Sequence, residues 1–266
     1  MKILANIRIG FEKIMRKLGY AVVFTNIKAS SCDDAIRINI GAGDWGCAGW
    51  TNLDYPSEWY KQAQSKHDFI PYNIREDSLP FADNSVKLIY CCHVVEHIEN
   101  CYIEKLFQEC YRVLQPGGVA RFVCPDAEFL YDVSKFSNDY WKWRYSLISK
   151  EKIKTCEPVD FLVQEIATPH AHEMGWNEVE YKSEFKKMDR DDFFDFITNN
   201  LEFEVEHVGD HINWWTFGKF DRLMKKCGFA TVIRSKYMGS VSGEMKNPYY
   251  FDVTHPQMSL YVEAVK

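Results

Sequence analysis

Two glycines and an aspartate near the start of the sequence have the residue types needed to hold a ribose. Gly41 and Gly43 flank Ala42, and a tight glycine turn lets a ligand approach the main chain because glycine has no Cβ. Asp54 follows 13 residues after Gly41. A carboxylate there can accept hydrogen bonds from the two neighbouring hydroxyls of a ribose. These residues predict a site for a ribose-bearing cofactor.

Two short predicted strands must place the glycine turn and the acid side by side. Residues 36–40 alternate β-branched isoleucines with other residues, which predicts a strand that ends at Gly41. A second short strand over residues 51–53 ends in Asp54. We therefore expect the turn and the carboxylate on neighbouring strands, where one ligand can contact both.

The glycine turn also matches the dinucleotide-binding fingerprint. Residues 41–46 read G-A-G-D-W-G. In that fingerprint a helix follows the glycines and the acid arrives about 20 residues on. Residues 44–50 are too few for a full crossover helix, since a connection between parallel strands usually needs about 10–12 residues or more. The spacing therefore argues against a nicotinamide enzyme.

Four motifs in a fixed order carry a family resemblance. The first motif consists of N-I-G-A-G, at the end of the first predicted strand, and G-W-T-N-L-D, which contains the second strand. The other three motifs lie between residues 79 and 118 and read L-P-F-A-D-N-S-V-K-L-I-Y, H-V-V-E-H-I and L-F-Q-E-C-Y-R-V-L-Q-P-G-G. The sequence resembles class I S-adenosylmethionine-dependent methyltransferases, and more closely a branch with a shortened first crossover whose members occur in bacterial surface polysaccharide and capsule clusters. The resemblance covers residues 35–125, with a weaker similarity from 217 to the end. Lys87 departs from the pattern, which commonly has an acid there.

The resemblance implies a fold, a cofactor and a domain plan. The expected fold is α/β, a Rossmann-like seven-stranded class I methyltransferase sheet with an antiparallel last strand and a helical insertion as a lid. The expected cofactor is S-adenosyl-L-methionine, and the product is S-adenosyl-L-homocysteine. Residues 35–125 and 217–266 would form the methyltransferase core, and residues 126–216 the mainly helical lid. Residues 1–34 would form an amphipathic helix and linker that pack on the core.

The predicted cofactor site gathers residues from three strand ends. By resemblance, Asn73 stands where the family often has an aspartate that meets the adenine amino group, and an amide carbonyl can accept the same hydrogen bond. Ligands of open α/β sheets lie beyond the carboxyl ends of the strands, which places residues 92–94 near the methionine part. The predicted cofactor-binding residues are Gly41, Ala42, Gly43, Asp54, Tyr55, Asn73, Ile74, Cys92 and His93.

Methyl transfer from a sulfonium requires mainly alignment and exclusion of water. A base is needed only when the acceptor atom enters protonated. His93, at the strand end that faces the transferred methyl, is the first catalytic candidate, and the alternative is a histidine that only orients the loop or the cofactor. His211 is the second candidate. Glu96 and His97 are expected to have structural roles.

The insertion carries histidines and aromatic residues that could select the substrate. The predicted substrate-binding residues are Trp45, His170, His172, Trp176 and His211. A pair of histidines two residues apart can chelate a metal, and polar substrate contacts or ordinary surface histidines are the alternatives. No family motif supports a metal here, so we expect none. The loop of residues 239–257 could also reach the substrate.

Composition limits the partners. The net charge of −6 argues against nucleic acid. Nine scattered cysteines without a Cys-x-x-Cys pair indicate reduced thiols. No apolar run approaches the length of a membrane span, so a cytoplasmic protein is expected.

Residues 1–18 are amphipathic and basic. Packing on the protein's own core is expected, and a peripheral membrane or dimer contact is the alternative. The oligomeric state stays open.

The sequence thus predicts an O-methyltransferase that acts on a small polar acceptor. By resemblance, the acceptor is a nucleotide-linked sugar or a phosphate or phosphoramidate intermediate of bacterial capsule or surface polysaccharide biosynthesis. Two alternatives are kept. One is a catalytically silent cofactor-binding module, and the other is a protein or RNA methyltransferase, of which the RNA form is disfavoured by the acidic balance.

Overall fold

The computed structural model describes residues 34–137, 139–145, 147, 154–172 and 181–266, without the side chain of His172. Residues 34–266 cluster as one unit. The predicted N-terminal helix lies outside the described residues. Among the described residues, no helix has the length and apolar character needed to cross a membrane.

A seven-stranded sheet lies at the centre of the described residues. Its order is β3-β2-β1-β4-β5-β7-β6, with β1 to β5 parallel and β7 antiparallel to both β5 and β6. The strands are β1 Ile36–Ile40, β2 Thr51–Asp54, β3 Ile70–Pro71, β4 Val86–Cys92, β5 Leu114–Pro125, β6 Thr231–Arg234 and β7 Ser259–Val265. The predicted α/β fold with an antiparallel last strand is confirmed.

The central strands are apolar because helices and loops cover both faces of the sheet. Five of the seven residues of β4 are buried, and β1 lies between β2 and β4. Its register brings Ile40 beside both Leu53 and Cys91. The carboxyl ends of β1, β2 and β4 therefore meet at one edge of the sheet.

Nine α-helices cover the sheet or form the insertion within the described residues. They are α1 Lys61–Gln64, α2 Asn100–Val113, α3 Ala127–Phe136, α4 Lys142–Tyr145, α5 Pro158–Ile166, α6 Thr168–His172, α7 Tyr181–Lys187, α8 Arg190–Thr198 and α9 Phe217–Lys226. Helix α2 buries residues three or four positions apart, from Ile103 to Val113, as its periodicity predicts. Helix α9 begins after Thr216, whose hydroxyl accepts a hydrogen bond from Lys219 N at 3.3 Å.

The insertion has a hydrophobic cluster of its own. Trp141, Phe161, Phe193 and Phe194 are fully buried in it together with residues of α3, α5 and α7. The sequence predicts helical segments over residues 129–148, 182–188 and 190–199, and helix α5 is not among them. Its start nevertheless carries a sequence signal, because Glu157 and the Asp160 side chain form a reciprocal cap around a proline at the first helical position.

Two elements are shorter than their sequence patterns predict. Residues 67–70 predict a third strand, but β3 covers only Ile70–Pro71 and pairs with β2 through two residues, because proline lacks the N–H that would extend the ladder. The pattern of residues 129–148 predicts one helix, whereas the described residues there form α3 and α4.

Candidate active site

A cavity of about 600 Å³ opens at the carboxyl ends of β1, β2 and β4. This volume lies within the usual range for small-molecule sites. Its floor is the glycine turn with Asp54, and its sides come from the segments after β3 and β4. Residues of two distant segments, 203–208 and 249–254, line the opposite wall. One cavity thus joins all the strand ends that the sequence analysis singled out.

The glycine turn after β1 has no room for side chains at its first position. Gly41 has φ of +71° and donates its N–H to Leu53 O at 2.8 Å. A Cβ at this position would lie 2.2 Å from Val94 Cγ2, which is too short for two nonbonded carbon atoms. Gly43 also has a positive φ, +54°, but a Cβ there would meet no atom within 4 Å.

Gly41→Ala is expected to lower both cofactor affinity and stability. The new methyl group must displace Val94, which lines the cavity, and the left-handed backbone adds strain. We expect a loss of about 2–3 kcal/mol in the free energy of unfolding, measured by urea denaturation, and an affinity for S-adenosylhomocysteine at least about tenfold weaker by calorimetry.

Gly117→Ala is the matched control. Gly117 has φ of +78°, and a Cβ there would meet nothing within 4 Å. This variant carries the backbone strain without the clash and lies outside the cavity lining. Equal losses of stability and affinity in both variants would contradict the steric account of Gly41.

Asp54 ends β2 beside the glycine turn. Its Oδ2 accepts the N–H of Gly43 and its Oδ1 accepts the N–H of Tyr55, each at 2.8 Å. Burial raises the pKa of this carboxyl, and the Gly43 N–H, the Gln64 side chain and the Tyr55 N–H oppose that effect. A carboxylate has about four acceptor sites, so the ribose hydroxyls would use those that these donors leave. The described connection from β1 to β2 contains no helix, as the short spacing predicted.

The remaining predicted cofactor residues also line the cavity. These are Ala42, Tyr55, Asn73, Ile74, Cys92 and His93. Asn73 Oδ1 accepts the N–H of Arg75 at 3.1 Å, which leaves one lone pair for a second donor. Burial raises the pKa of the Cys92 thiol to about 12, so this cysteine is a neutral wall residue. Their cofactor roles stay predictions.

His93 stands at the end of β4 with a left-handed backbone, φ +54°. A non-glycine residue held in this region costs energy and often marks a functional site. Its Nε2 lies 3.0 Å from Ser259 Oγ, and its Nδ1 lies 3.0 Å from Glu96 Oε1. Burial raises the pKa of Glu96, but attraction to His93 and hydrogen bonding with it lower that pKa further, to about 2. His93 therefore faces a buried carboxylate anion.

The predicted substrate residues lie in different places. Trp45 lines the cavity, and its Nε1 donates to Tyr250 O at 2.5 Å. His170 and His211 do not line the cavity formed by the described residues. His170 Nε2 contacts Ile197 O at 2.8 Å. The side chain of His172 and all of Trp176 lie outside the described residues.

His211 lies behind the cavity wall, against His97. Its ring centroid is 4.8 Å from that of His97, and its Nδ1 contacts Glu165 O at 2.6 Å. Burial and the neighbouring His97 lower the pKa of His211 to about 3. His211 is therefore a neutral imidazole at neutral pH.

Several cavity residues were not predicted. Tyr60, Arg75, Phe203 and Val208 line it, and Arg75 stacks 3.8 Å above the Phe203 ring while pairing with Glu99 at 2.7 Å. The contact between Arg75 and Phe203 joins segments more than 100 residues apart, which no local pattern reveals. The 249–254 segment is different, because it lies within the loop of residues 239–257 that was expected to be able to reach the substrate.

Comparison with known proteins shows which protein family this part of the sequence resembles. Residues 42–122 match the family model described as a methyltransferase domain. The match contains Gly43, Asp54 and His93, and the sheet has the seven strands and the antiparallel last strand expected for that family. Residues 42–122 therefore match a methyltransferase domain. Its cofactor is S-adenosylmethionine, which supplies an electrophilic methyl group on sulfur when bound.

Solved structures similar to this methyltransferase include two described in the same terms. One, from Mesorhizobium loti, has 16% identity and a TM-score of 0.43, over 87% of this chain and 91% of that one. Another, from Archaeoglobus fulgidus, has 11% identity and a TM-score of 0.42, over 87% of this chain and 86% of that one. No curated protein matches the sequence.

The residues of the methyltransferase fit this cofactor. The cavity places an acidic acceptor at the end of β2 for the ribose hydroxyls, and a glycine turn against which a ligand can lie. Apolar neighbours such as Ile74 and Val94 line the space between them. Gly43 has no Cβ and the space beside it is open, so a ligand can approach its main chain.

Proposed function

We propose that this chain is an S-adenosylmethionine-dependent O-methyltransferase that acts on a small polar acceptor. The observation that carries the proposal is the 2.8 Å contact between Gly43 N and Asp54 Oδ2 on the floor of the cavity. It joins the glycine turn to an acid, the pair that a ribose requires. His93 follows the end of β4, and we expect it to face the methyl group of the bound cofactor.

The walls of the cavity support a small acceptor over a protein or an RNA. Phe203, Val208, Tyr249, Tyr250 and Val253, from two distant segments, line the cavity together with the strand ends. A macromolecular substrate needs an open groove. The net charge of −6 also lacks the cationic surface that RNA binding uses.

The charges of the cavity support a hydroxyl as the methylated group. Among the described lining residues, Arg75 is the one lysine or arginine, and it already pairs with Glu99. Asp44 and Asp54 are acidic. A phosphate or phosphoramidate oxygen would need cationic or N–H donors here, whereas a hydroxyl needs a proton acceptor.

His93 can serve as that proton acceptor. An acceptor hydroxyl that replaces Ser259 beside Nε2 would pass its proton to the imidazole, while Glu96 at Nδ1 would stabilise the resulting imidazolium. The family resemblance extends the proposal to a sugar hydroxyl of a nucleotide-linked intermediate of bacterial surface polysaccharide biosynthesis.

His93→Asn is expected to lower kcat by about 100-fold or more, in line with the usual contribution of a general base. Asparagine tolerates the positive φ of this position, so the protein should still fold. We expect the affinity for S-adenosylhomocysteine to change less than about threefold. Steady-state kinetics and calorimetry measure the two effects separately, and an unchanged kcat would exclude the base role.

The function itself is tested by transfer of a labelled methyl group from S-adenosylmethionine to a series of nucleoside diphosphate sugars. The proposal predicts a base-stable methyl ether on a sugar hydroxyl. Tight binding of S-adenosylhomocysteine without transfer to any acceptor would instead support the silent cofactor-binding module. Methylation of added protein or RNA only would support the macromolecular alternative.

A further inference from the structure

A buried carboxylate with a single polar side-chain contact within the described part of the chain lies behind the cavity wall. Glu96, in the 3-10 turn Val95–His97, is 1% exposed. Its Oε1 lies 3.0 Å from His93 Nδ1, and apart from that contact neither carboxylate oxygen has a hydrogen-bond partner among the described residues. A buried carboxylate normally accepts several hydrogen bonds or binds a metal, because its desolvation is costly.

Two histidines lie beside this carboxylate, and one ring nitrogen of each already has a hydrogen-bond partner. His97 Nδ1 lies 2.8 Å from Asp210 O, and His211 Nδ1 lies 2.6 Å from Glu165 O. A carbonyl only accepts, so each Nδ1 must carry the proton. The lone pair of each Nε2 is therefore free for another partner. Metal-binding histidines are commonly oriented by such a bond from the second ring nitrogen.

The backbone holds the three side chains together. Ile212 N and Asn213 N both donate to Glu96 O, at 2.8 Å and 3.0 Å. These bonds fasten the segment that carries His211 to the turn that carries Glu96 and His97. One ligand atom from each of the three side chains lies within 4.8 Å of the others.

We propose that Glu96, His97 and His211 bind a divalent first-row transition metal ion, of the kind that Zn²⁺ or Mn²⁺ represents. Two imidazoles and one carboxylate are a familiar ligand set for such ions. Bonds of about 2.0–2.2 Å require the ligand atoms to approach by roughly an ångström. The carboxylate has two oxygens, so one can face His93 while the other binds the ion.

The site adjoins the proposed reaction space. His97 and His93 line the cavity, and three protein ligands leave a coordination position open. An ion there could bind the acceptor oxygen and ease loss of its proton. This role rests on the proposed function, whereas binding of the ion does not. No metal was expected from the sequence because no family motif supports one, and these three ligands come from two distant segments.

The test uses Co²⁺ as the probe on the full chain after treatment with a chelator. Visible absorption and equilibrium titration should show one ion bound per chain, with an affinity at least about 100-fold weaker in His211→Ala. His207→Ala is the matched control, since its exposed imidazole pairs with Glu204 outside the cluster, and it should bind Co²⁺ as the unchanged protein does. Thermal unfolding of each variant establishes that it is folded.

Two results would overturn the proposal. One is the absence of Co²⁺ binding by the unchanged protein, which would mean that a proton on a histidine balances the charge of Glu96. The other is equal Co²⁺ affinity in His211→Ala, and His97→Ala repeats that comparison if the first variant does not fold. Titration with S-adenosylhomocysteine keeps the two accounts apart, because cofactor binding without metal binding contradicts only the metal site. Metal binding without cofactor binding or methyl transfer contradicts only the proposed function.

Discussion

Asp54→Ala is expected to weaken binding of S-adenosylhomocysteine by at least about 100-fold. The carboxylate lies at the end of β2 within the cavity, and two ribose hydroxyls would donate to it. Hydrogen bonds to a charged group contribute about 1.5–3 kcal/mol each, and 1.4 kcal/mol corresponds to tenfold in affinity. Isothermal titration calorimetry measures the loss directly.

Two further variants make this result specific. Asp54→Asn keeps one acceptor oxygen without the charge and should lie between the alanine variant and the unchanged protein. Asp132→Ala removes an exposed aspartate outside the cavity lining and should leave the affinity unchanged. Because Asp54 also holds Gly43 and Tyr55, thermal unfolding of the free variants must accompany the titrations. Full affinity in a folded Asp54→Ala would remove Asp54 from the site.

Arg121→Leu is expected to lower the free energy of unfolding by about 3–5 kcal/mol, the usual cost of breaking a buried ion pair. Arg121 is completely buried, with two hydrogen bonds to the Asp252 carboxylate, at 3.0 Å and 2.6 Å, and Glu263 at 3.2 Å. Removal of the guanidinium leaves two buried carboxylates facing each other without a cation. Urea denaturation followed by circular dichroism measures the change.

The same variant should also disturb the cavity. Arg121 binds Lys236 O at 3.0 Å and Asp252, near the two ends of the segment that carries Tyr249 and Tyr250. Lys225→Met is the control, because it breaks an exposed pair with Asp221, which should cost less than about 1 kcal/mol. Similar destabilisation by both variants would show that burial of the Arg121 network contributes little.

The parts of the fold that local sequence determines could be predicted. The isoleucine pattern of β1 ends at Gly41, where an added Cβ would collide with Val94. The predicted end of the strand therefore coincides with a turn that requires glycine. The 13-residue spacing from Gly41 to Asp54 correctly predicted a crossover without a helix. In both cases the sequence signal lies within residues 36–54, although the Val94 side chain that fills the space at Gly41 comes from a later segment.

The parts of the site that depend on long-range contacts could not be predicted. Glu96 and His211 stand 115 positions apart, and backbone bonds from Ile212 and Asn213 help to bring them together. His211, a predicted catalytic and substrate residue, packs against His97 and does not line the cavity formed by the described residues. The network of Arg121 likewise joins β5, β7 and a loop, and neither periodicity nor composition indicates which acid a buried arginine will meet.

A crystal structure of the chain with S-adenosylhomocysteine bound tests the central claim most directly. The account predicts both ribose hydroxyls within hydrogen-bond distance of the Asp54 carboxylate, the adenosine against the turn of Gly41 and Gly43, and the sulfur on the side of His93. A nucleoside bound outside this cavity, or inside it with no contact to Asp54, would contradict the account.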